Sequence, residues 1–333
     1  MSKAAELAAL IGSQTAQGNK NLVKNGAMVV AQRATSASGD TTGTVRTVDR
    51  MNPEISSAGT WTQSQSTDVP SGQGFVNSFK LDCTTADASL SAGDVVIFGY
   101  RMEGIELQRL NYGTSGAKNT VLSFWVKTNK TGNYVVQFQN IRSTIRTCSL
   151  LYTVSSANTW QKVEFPIPAD TAATFDNDNL LSGILYWWLA SGTTYTSGTL
   201  NTTWADRVNA NNAAGLNVNL ADSTDNEWYI TGIQLEEGDV ATPFEHEDFG
   251  TTLRKCKRYY ELLDTSIYPL DYGSSDVLSN FTWTEQKRAT PTLSVNTNSG
   301  SVSLYPITTS GGYIYKTSKT YSSVVGMKGA AEL

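Results

Sequence analysis

The chain has 333 residues, room for one large β-sandwich of about 200 to 250 residues with a smaller companion. Apolar residues make up 39% and charged residues 17%, while Thr, Ser, Asn and Gly are abundant and Lys and Glu scarce, which describes an all-β protein with polar turns. A net charge of −5 and the absence of any run of about 18 apolar residues exclude bulk attraction to nucleic acid or anionic lipid and membrane insertion by a helix.

Residues 2–12, SKAAELAALIG, read as a short helix capped by Ser2 and stopped by Gly12. Eleven residues are marginal alone because helix nucleation is costly, so Leu7, Leu10 and Ile11 need an apolar partner surface, such as a trimer axis or a neighbouring protein. No basic region followed by an apolar stretch and a cleavage site opens the chain, so synthesis in a cytoplasm without a secretion signal is expected. With residues 13–20 this helix makes an anchor, 1–20.

From 21 to 248 short β-type runs alternate with turn signals, the spacing of a sandwich. The clearest strands are 75–83, 94–102, 121–128, 133–140, 160–166, 183–190 and 227–235. In 121–127, Leu122, Phe124 and Val126 share the core face, opposite Val121, Ser123, Trp125 and Lys127. Lys130 to Asn133 carry turn chemistry, which predicts a hairpin to the strand beyond. Ser191 to Asn212 is a long polar loop holding Tyr195 and Trp204. A helix over 251–263 follows, with a Thr cap and apolar Leu253, Cys256, Tyr260 and Leu263, and serves with 249–250 as a linker. Residues 264–333 return to β signals at 293–297, 301–305 and 313–317. So thin a domain must lean on the sandwich or on symmetry mates.

NLVKNGAM at 21–28 and WYITGIQLEEGDVATPFE at 228–245 resemble the first and last strands of carbohydrate-binding-module jelly rolls. Together with TLNTTWADRVNA, the run from ITGIQLEEGD to LRKCKRYYE, KRATPT and the closing AAEL, the chain resembles tail-fibre-type virion proteins of tailed bacteriophages. The resemblance is densest at 228–262, where Gln234, Leu235, Glu236, Gly238, Ala241, Thr242, Pro243, Phe244 and Glu245 match in order. It implies a jelly roll, a place in the virion and a homotrimer. Phe244, after Pro243, is expected to plug the sandwich end.

Such jelly rolls often hold a structural calcium, but Ala27, Met28, Thr231 and Gly232 stand where acids are usual, so the strand motifs do not support one and no cofactor is expected. Asp176 with Asp178, and Asp222, Asp225 and Glu227, are read as solvated acidic turns. Sugars bind on flat aromatic faces beside planar polar groups, which makes Tyr186, Trp188, Tyr195 and Trp204 the glycan-binding candidates. Tyr186 and Trp188 share a strand face, with Trp187 opposite. The single histidine, His246, has no concentrated metal partners, and no G-x-S-x-G elbow or distinguished carboxylate pair marks an active site. Cys83, Cys148 and Cys256 read as buried free thiols. Arg254, Lys255, Lys257 and Arg258 form the one dense basic cluster. Arg254 and Lys257 are expected to contact Glu236, Glu237 or Asp239 of a neighbouring subunit rather than nucleic acid. The expectation is a non-enzymatic phage appendage contacting other virion proteins and host-surface glycan; the alternative is a purely structural fibre, connector or capsid-decorating subunit.

Overall fold

The structure, a computed structural model, describes residues 19–142, 144–263, 270–271, 277–297, 303–316 and 324–333. The expected helix at 2–12, with Leu7, Leu10 and Ile11, lies outside the described residues.

Residues 36–237 form a jelly-roll sandwich of two antiparallel sheets. Sheet A is ordered β1 (Ser36–Asp40), β3 (Thr60–Ser66), β4 (Ser78–Thr85), β12 (Glu227–Glu237), β6 (Thr120–Thr128), β9 (Gln161–Ile167). Sheet B is ordered β11 (Ala205–Asp206), β8 (Arg146–Val154), β7 (Gly132–Asn140), β10 (Leu181–Ser191), β5 (Val95–Glu103), β2 (Met51–Ser56). Period-two alternation sets which side chains enter the space between them. Leu122, Phe124 and Val126 enter from β6, and Leu185, Trp187 and Leu189 from β10, all fully buried. Phe98 sits at the centre, its ring 4.9 Å from Phe79, 5.4 Å from Trp187 and 5.3 Å from Trp228. Each such burial contributes about 1.5–3 kcal/mol, so these rings dominate the cohesion of the two sheets.

Three expectations need correction. Lys130 to Asn133 do not close a hairpin: β6 belongs to sheet A and β7 to sheet B, so the turn arches over the core and lets both strands point their apolar faces inward. NLVKNGAM does not form a regular strand. Leu22 and Gly26 each exchange one bond with β12 (Leu22 N to Leu235 O, 2.8 Å; Ile233 N to Gly26 O, 3.0 Å), around a tight turn with Asn25 and Met28 at positive φ. Gly26 is required there, because a Cβ would lie 2.1 Å from the Ile233 oxygen. The linking helix starts earlier and stops earlier than 251–263: it spans Phe249–Lys257, is capped by Asp248 (Thr251 N to Asp248 Oδ1, 2.9 Å), and gives way to strand β13 (Tyr260–Leu263). Tyr259 and Tyr260 favour extended backbone and bury their rings against the sandwich, which ends the helix.

β13 pairs with β19 (Val324–Ala330), which also pairs with β16 (Thr292–Thr297). A second small sheet holds β14 (Leu270–Asp271), β15 (Val277–Thr282), β18 (Gly311–Lys316) and β17 (Ser303–Ile307). Among the described residues their own core includes Phe281, Trp283, Ile314 and Met327. The unit leans on the sandwich through charge. After β19, Glu332 accepts hydrogen bonds from Arg33 (2.8 Å) and Arg50 (3.2 Å) and pairs with Arg46 (3.3 Å). Arg50, fully buried, also lies 3.5 Å from the Tyr259 ring centroid. Arg101 donates to the Leu333 oxygen at 2.8 Å.

Burial by itself would push the Glu332 carboxyl up, but Arg50, Arg33 and Arg46 together hold it below its ordinary 4.5. A lowered carboxylate contributes stability that is complete above 4.5 and is lost as pH falls through the folded value. Glu332→Gln is therefore expected to lower unfolding free energy by about 3 kcal/mol at neutral pH, because it strands a buried guanidinium. Urea unfolding of the variant should also show a shallower loss of stability below pH 4.5 than the parent. Equal slopes would refute the role given to this carboxylate.

Candidate functional site

The outer face of sheet B carries Tyr186 and Trp188, but the chain covers it with its own long loop. Ala213 N bonds Tyr195 O at 2.8 Å, Ser149 N bonds Asn201 O at 2.7 Å, and Gln137 donates to Asn212 O at 3.3 Å, pinning residues 195–213 across β7 and β8. Beneath the loop Ile97, Val135, Trp188 and Ala213 form a separate apolar cluster, joined by Tyr186, Tyr195, Leu200 and Leu216. Trp188 is 2% exposed and so offers no ring face to a ligand. The Trp188 and Tyr195 rings pack on each other at 5.4 Å. Tyr186 donates its hydroxyl to Glu54 at 2.8 Å, and burial with that carboxylate holds the phenol above its ordinary value. Trp204 turns inward, edge-on to Tyr112 and Phe138, with Nε1 bonded to Pro168 O at 2.7 Å. The four aromatics singled out by sequence thus split between two packed clusters and make no shared platform.

A second aromatic cluster lies on the other side, where the chain enters and leaves the sandwich, with Phe75 buried, Phe244 half-buried and His246 exposed. A cleft of about 460 Å³ runs between residues 21–29, the 74–77 segment and the stretch from Phe244 to Lys255. Its wall is three mutually packed rings: Phe75 to Phe244 at 5.0 Å, Phe75 to His246 at 5.1 Å, and Phe244 to His246 at 5.0 Å. Phe75 rests on Gly232, whose φ of +64° and whose missing Cβ, which would come 2.6 Å from the Phe75 ring, make glycine necessary. Val76 and Phe249 stand at the rim, 63% and 57% exposed. Phe244 accordingly walls an outer cleft instead of plugging the sandwich end.

Polar groups around the cleft are held in place by the protein. The Glu245 carboxylate takes backbone N–H bonds from Asn19 (2.7 Å) and Asn21 (2.9 Å), and Glu247 takes Thr252 (2.9 Å) and Lys255. His246 Nε2 lies 3.1 Å from Gln73 O. Each carboxylate oxygen thus has a donor from within the chain.

The remaining acids pair within the chain. Asp176 and Asp178 face Arg142 at 3.3 and 3.4 Å, Asp222 faces Lys130 at 2.5 Å, and Glu227 faces Lys80 at 2.8 Å. Among the described residues no group of three or more His, Cys, Asp or Glu is placed to hold a metal ion. All three cysteines are buried free thiols. The basic cluster is also engaged internally: Arg258 pairs with Glu103 (2.8 Å), Lys257 with Glu261 (3.7 Å) and Thr284 (3.1 Å), and Arg254 approaches Glu285 at 4.0 Å. Within the chain Glu237 faces Arg109 and Glu236 accepts from Thr242.

No protein-family description and no curated protein matches this sequence. Among solved structures, the enzymatically active domain of tailspike protein 4 from bacteriophage CBA120 is similar at 12% identity over 66% of this chain, with a TM-score of 0.36. This chain spans 22% of that tailspike's length. The C-terminal family 22 carbohydrate-binding module of a Clostridium thermocellum protein is similar at 13% identity, covering 62% of this chain and 95% of the module, with a TM-score of 0.31. The Clostridium thermocellum family 11 module, solved with a β-1,3-1,4-mixed-linked tetrasaccharide, is similar at 13% identity over 63% and 99%, with a TM-score of 0.27. Likenesses this distant carry nothing about ligand. The strand order and burial define the class: a jelly-roll β-sandwich with a charge-docked accessory β unit.

The division between packed and open aromatics is measurable. Trp188→Ala is expected to cost about 3–5 kcal/mol in denaturant unfolding, as a core truncation does. Phe249→Ala, at an exposed rim, should change stability by less than about 1 kcal/mol. The reverse order would place the open surface over sheet B.

Proposed function

We propose that the chain is a virion appendage protein of a tailed phage that holds host-surface glycan non-covalently in the Phe75–Phe244–His246 cleft. One observation carries the reading: two of the three segments that line the cleft bear the phage tail-fibre resemblance, the third being 74–77. Asn21 to Val29 come from the first, and Phe244 to Lys255 from the second. Packed aromatic rings beside amides suit pyranose rings, which offer C–H faces to stack and hydroxyls to bond. Recognition is binding without bond cleavage. In the particle the chain would meet other virion proteins and assemble as a closed homotrimer, which lets weak sites act together and multiplies affinity by about a hundredfold or more.

The internal satisfaction of Glu245 and Glu247 favours a second reading, a connector or decorating subunit that touches no sugar. A glycan array separates the two. The purified chain is expected to bind a subset of bacterial glycans, and Phe244→Ala with Phe249→Ala to abolish that signal without unfolding the protein. Retained binding in the double variant moves the site elsewhere, and an empty array leaves the connector. Release of new reducing ends from a bound polysaccharide would replace binding with catalysis.

A further inference from the structure

Beside the cleft lies a second recess that shares Lys255 as a lining residue. This recess, about 320 Å³, is lined by Lys24, Arg254, Lys255 and Arg258 against a single carboxylate, Glu285, with Thr251 and Gln286 beside them. Thr251, Arg254, Lys255 and Arg258 fall at i, i+3, i+4 and i+7 of the helix, one face of it, and Lys24 is brought up from the entry segment. Lys255 lines both spaces, so a ligand seated on Phe249 and Phe244 meets this cationic wall next.

The four cations are not equally committed. Arg258 is held by Glu103 at 3.0 and 2.8 Å, Lys24 by Glu106 and the Tyr259 hydroxyl, and Lys255 by Glu247 and Asn19. Arg254 is the exception. Its side chain is 62% exposed, reaches Glu285 only at 4.0 Å and gives one bond of 3.3 Å to Thr251 Oγ1. A guanidinium carries five N–H donors in a planar fork that matches a carboxylate or phosphate, so Arg254 has donors to give.

We infer that the glycan taken by this cleft is an acidic one, whose carboxylate or phosphate group is gripped by Arg254 and Lys255 while its sugar ring lies along Phe249 and Phe244. The inference rests on the glycan reading above and narrows it to a ligand class. Three of the four cations already face a carboxylate, Arg258 with Glu103, Lys24 with Glu106 and Lys255 with Glu247, so the group left to meet a ligand's negative charge is the Arg254 guanidinium. The overall charge of −5 makes long-range attraction of polyanions weak, so discrimination must come from this local recess.

The test uses the full chain on an array carrying neutral hexose oligosaccharides, their uronic-acid counterparts and phosphorylated hexoses. The acidic members should bind at least about tenfold more tightly than the neutral ones, the effect of one charge-assisted hydrogen bond pair. Uronate and phosphate spots tell which anion is preferred. Arg254→Gln should weaken acidic binding about tenfold, with an unchanged melting temperature because the side chain is exposed. Salt of about 1 M, where the screening length is about 3 Å, should release the acidic glycans. Equal binding of neutral and acidic members, indifferent to Arg254→Gln and salt, overturns the acidic assignment while the glycan reading stands. Binding of no member overturns both.

Discussion

A guanidinium without water must find its counter-charge inside the protein, and the placement of Arg50 imposes that constraint on much of this fold. Arg50 is fully shielded, adopts φ of +73°, and sits where β2 begins. The left-handed backbone costs about 1–2 kcal/mol and an unmatched buried charge several more, so its surroundings must supply a carboxylate and ring faces. Glu332 supplies the first from the far end of the chain, and Tyr259 and Tyr100 the second, with ring centroids 3.5 and 5.4 Å away. Residues hundreds of positions apart are thereby tied to one atom group. The C-terminal sheet, with a small core of its own, gains its position from this match.

The same tie positions the helix. Its last residues lead into Tyr259, whose ring is held over Arg50 and whose hydroxyl donates to Glu103, so Phe249–Lys257 can approach the sandwich only along one line. That line carries Phe249 and Thr252 to the aromatic cleft and Thr251, Arg254 and Arg258 to the cationic recess. Buried ion pairs stabilise little in net terms compared with apolar packing. Their use here is geometric: they select one docking of helix and small sheet, and the open surface follows from that docking.

Alternation made much of the sandwich readable in advance, and where alternation failed so did the reading. β5, β6, β7, β9, β10 and β12 carry apolar residues on one face at least, and their expected spans lie within two residues of those observed. β3, TWTQSQS, buries Trp61 and Gln63 alone with polar neighbours, and β8, RTCSLLYTV, is covered on both faces over much of its length, so neither shows period two. Turn residues at 130–133 announced a reversal but could not say which sheet receives the next strand. That is decided by which faces need burial. For the site, period two correctly put Tyr186 and Trp188 on the face opposite Trp187. It could not reveal that residues 195–213 would lie over that face, because a loop rich in Thr, Asn and Gly looks solvent-bound until its backbone bonds are known. The sequence marks Phe244 as a plug, His246 as a lone histidine and Phe75 as part of a strand, but not their meeting, because all three stand just outside the observed strands. The remaining signal was two rings at i and i+2 after Pro243, on a segment leaving the sandwich.

What the cleft can hold follows from which hydrogen-bonding groups the fold leaves over. Asn21 Oδ1 accepts from Val23 and Leu235, Asn25 Oδ1 accepts from Val30, and both Glu245 oxygens accept backbone N–H groups. These acceptors build the walls and are tied to the chain's own N–H groups. The helix side is the opposite: its cations bring more N–H groups than the neighbouring carboxylates consume, most of all at Arg254. The spare donors at Arg254 favour a partner that brings acceptors of its own. Among saccharides those carrying carboxylate or phosphate bring the strongest ones, at the end of the cleft where the rings give way to charge.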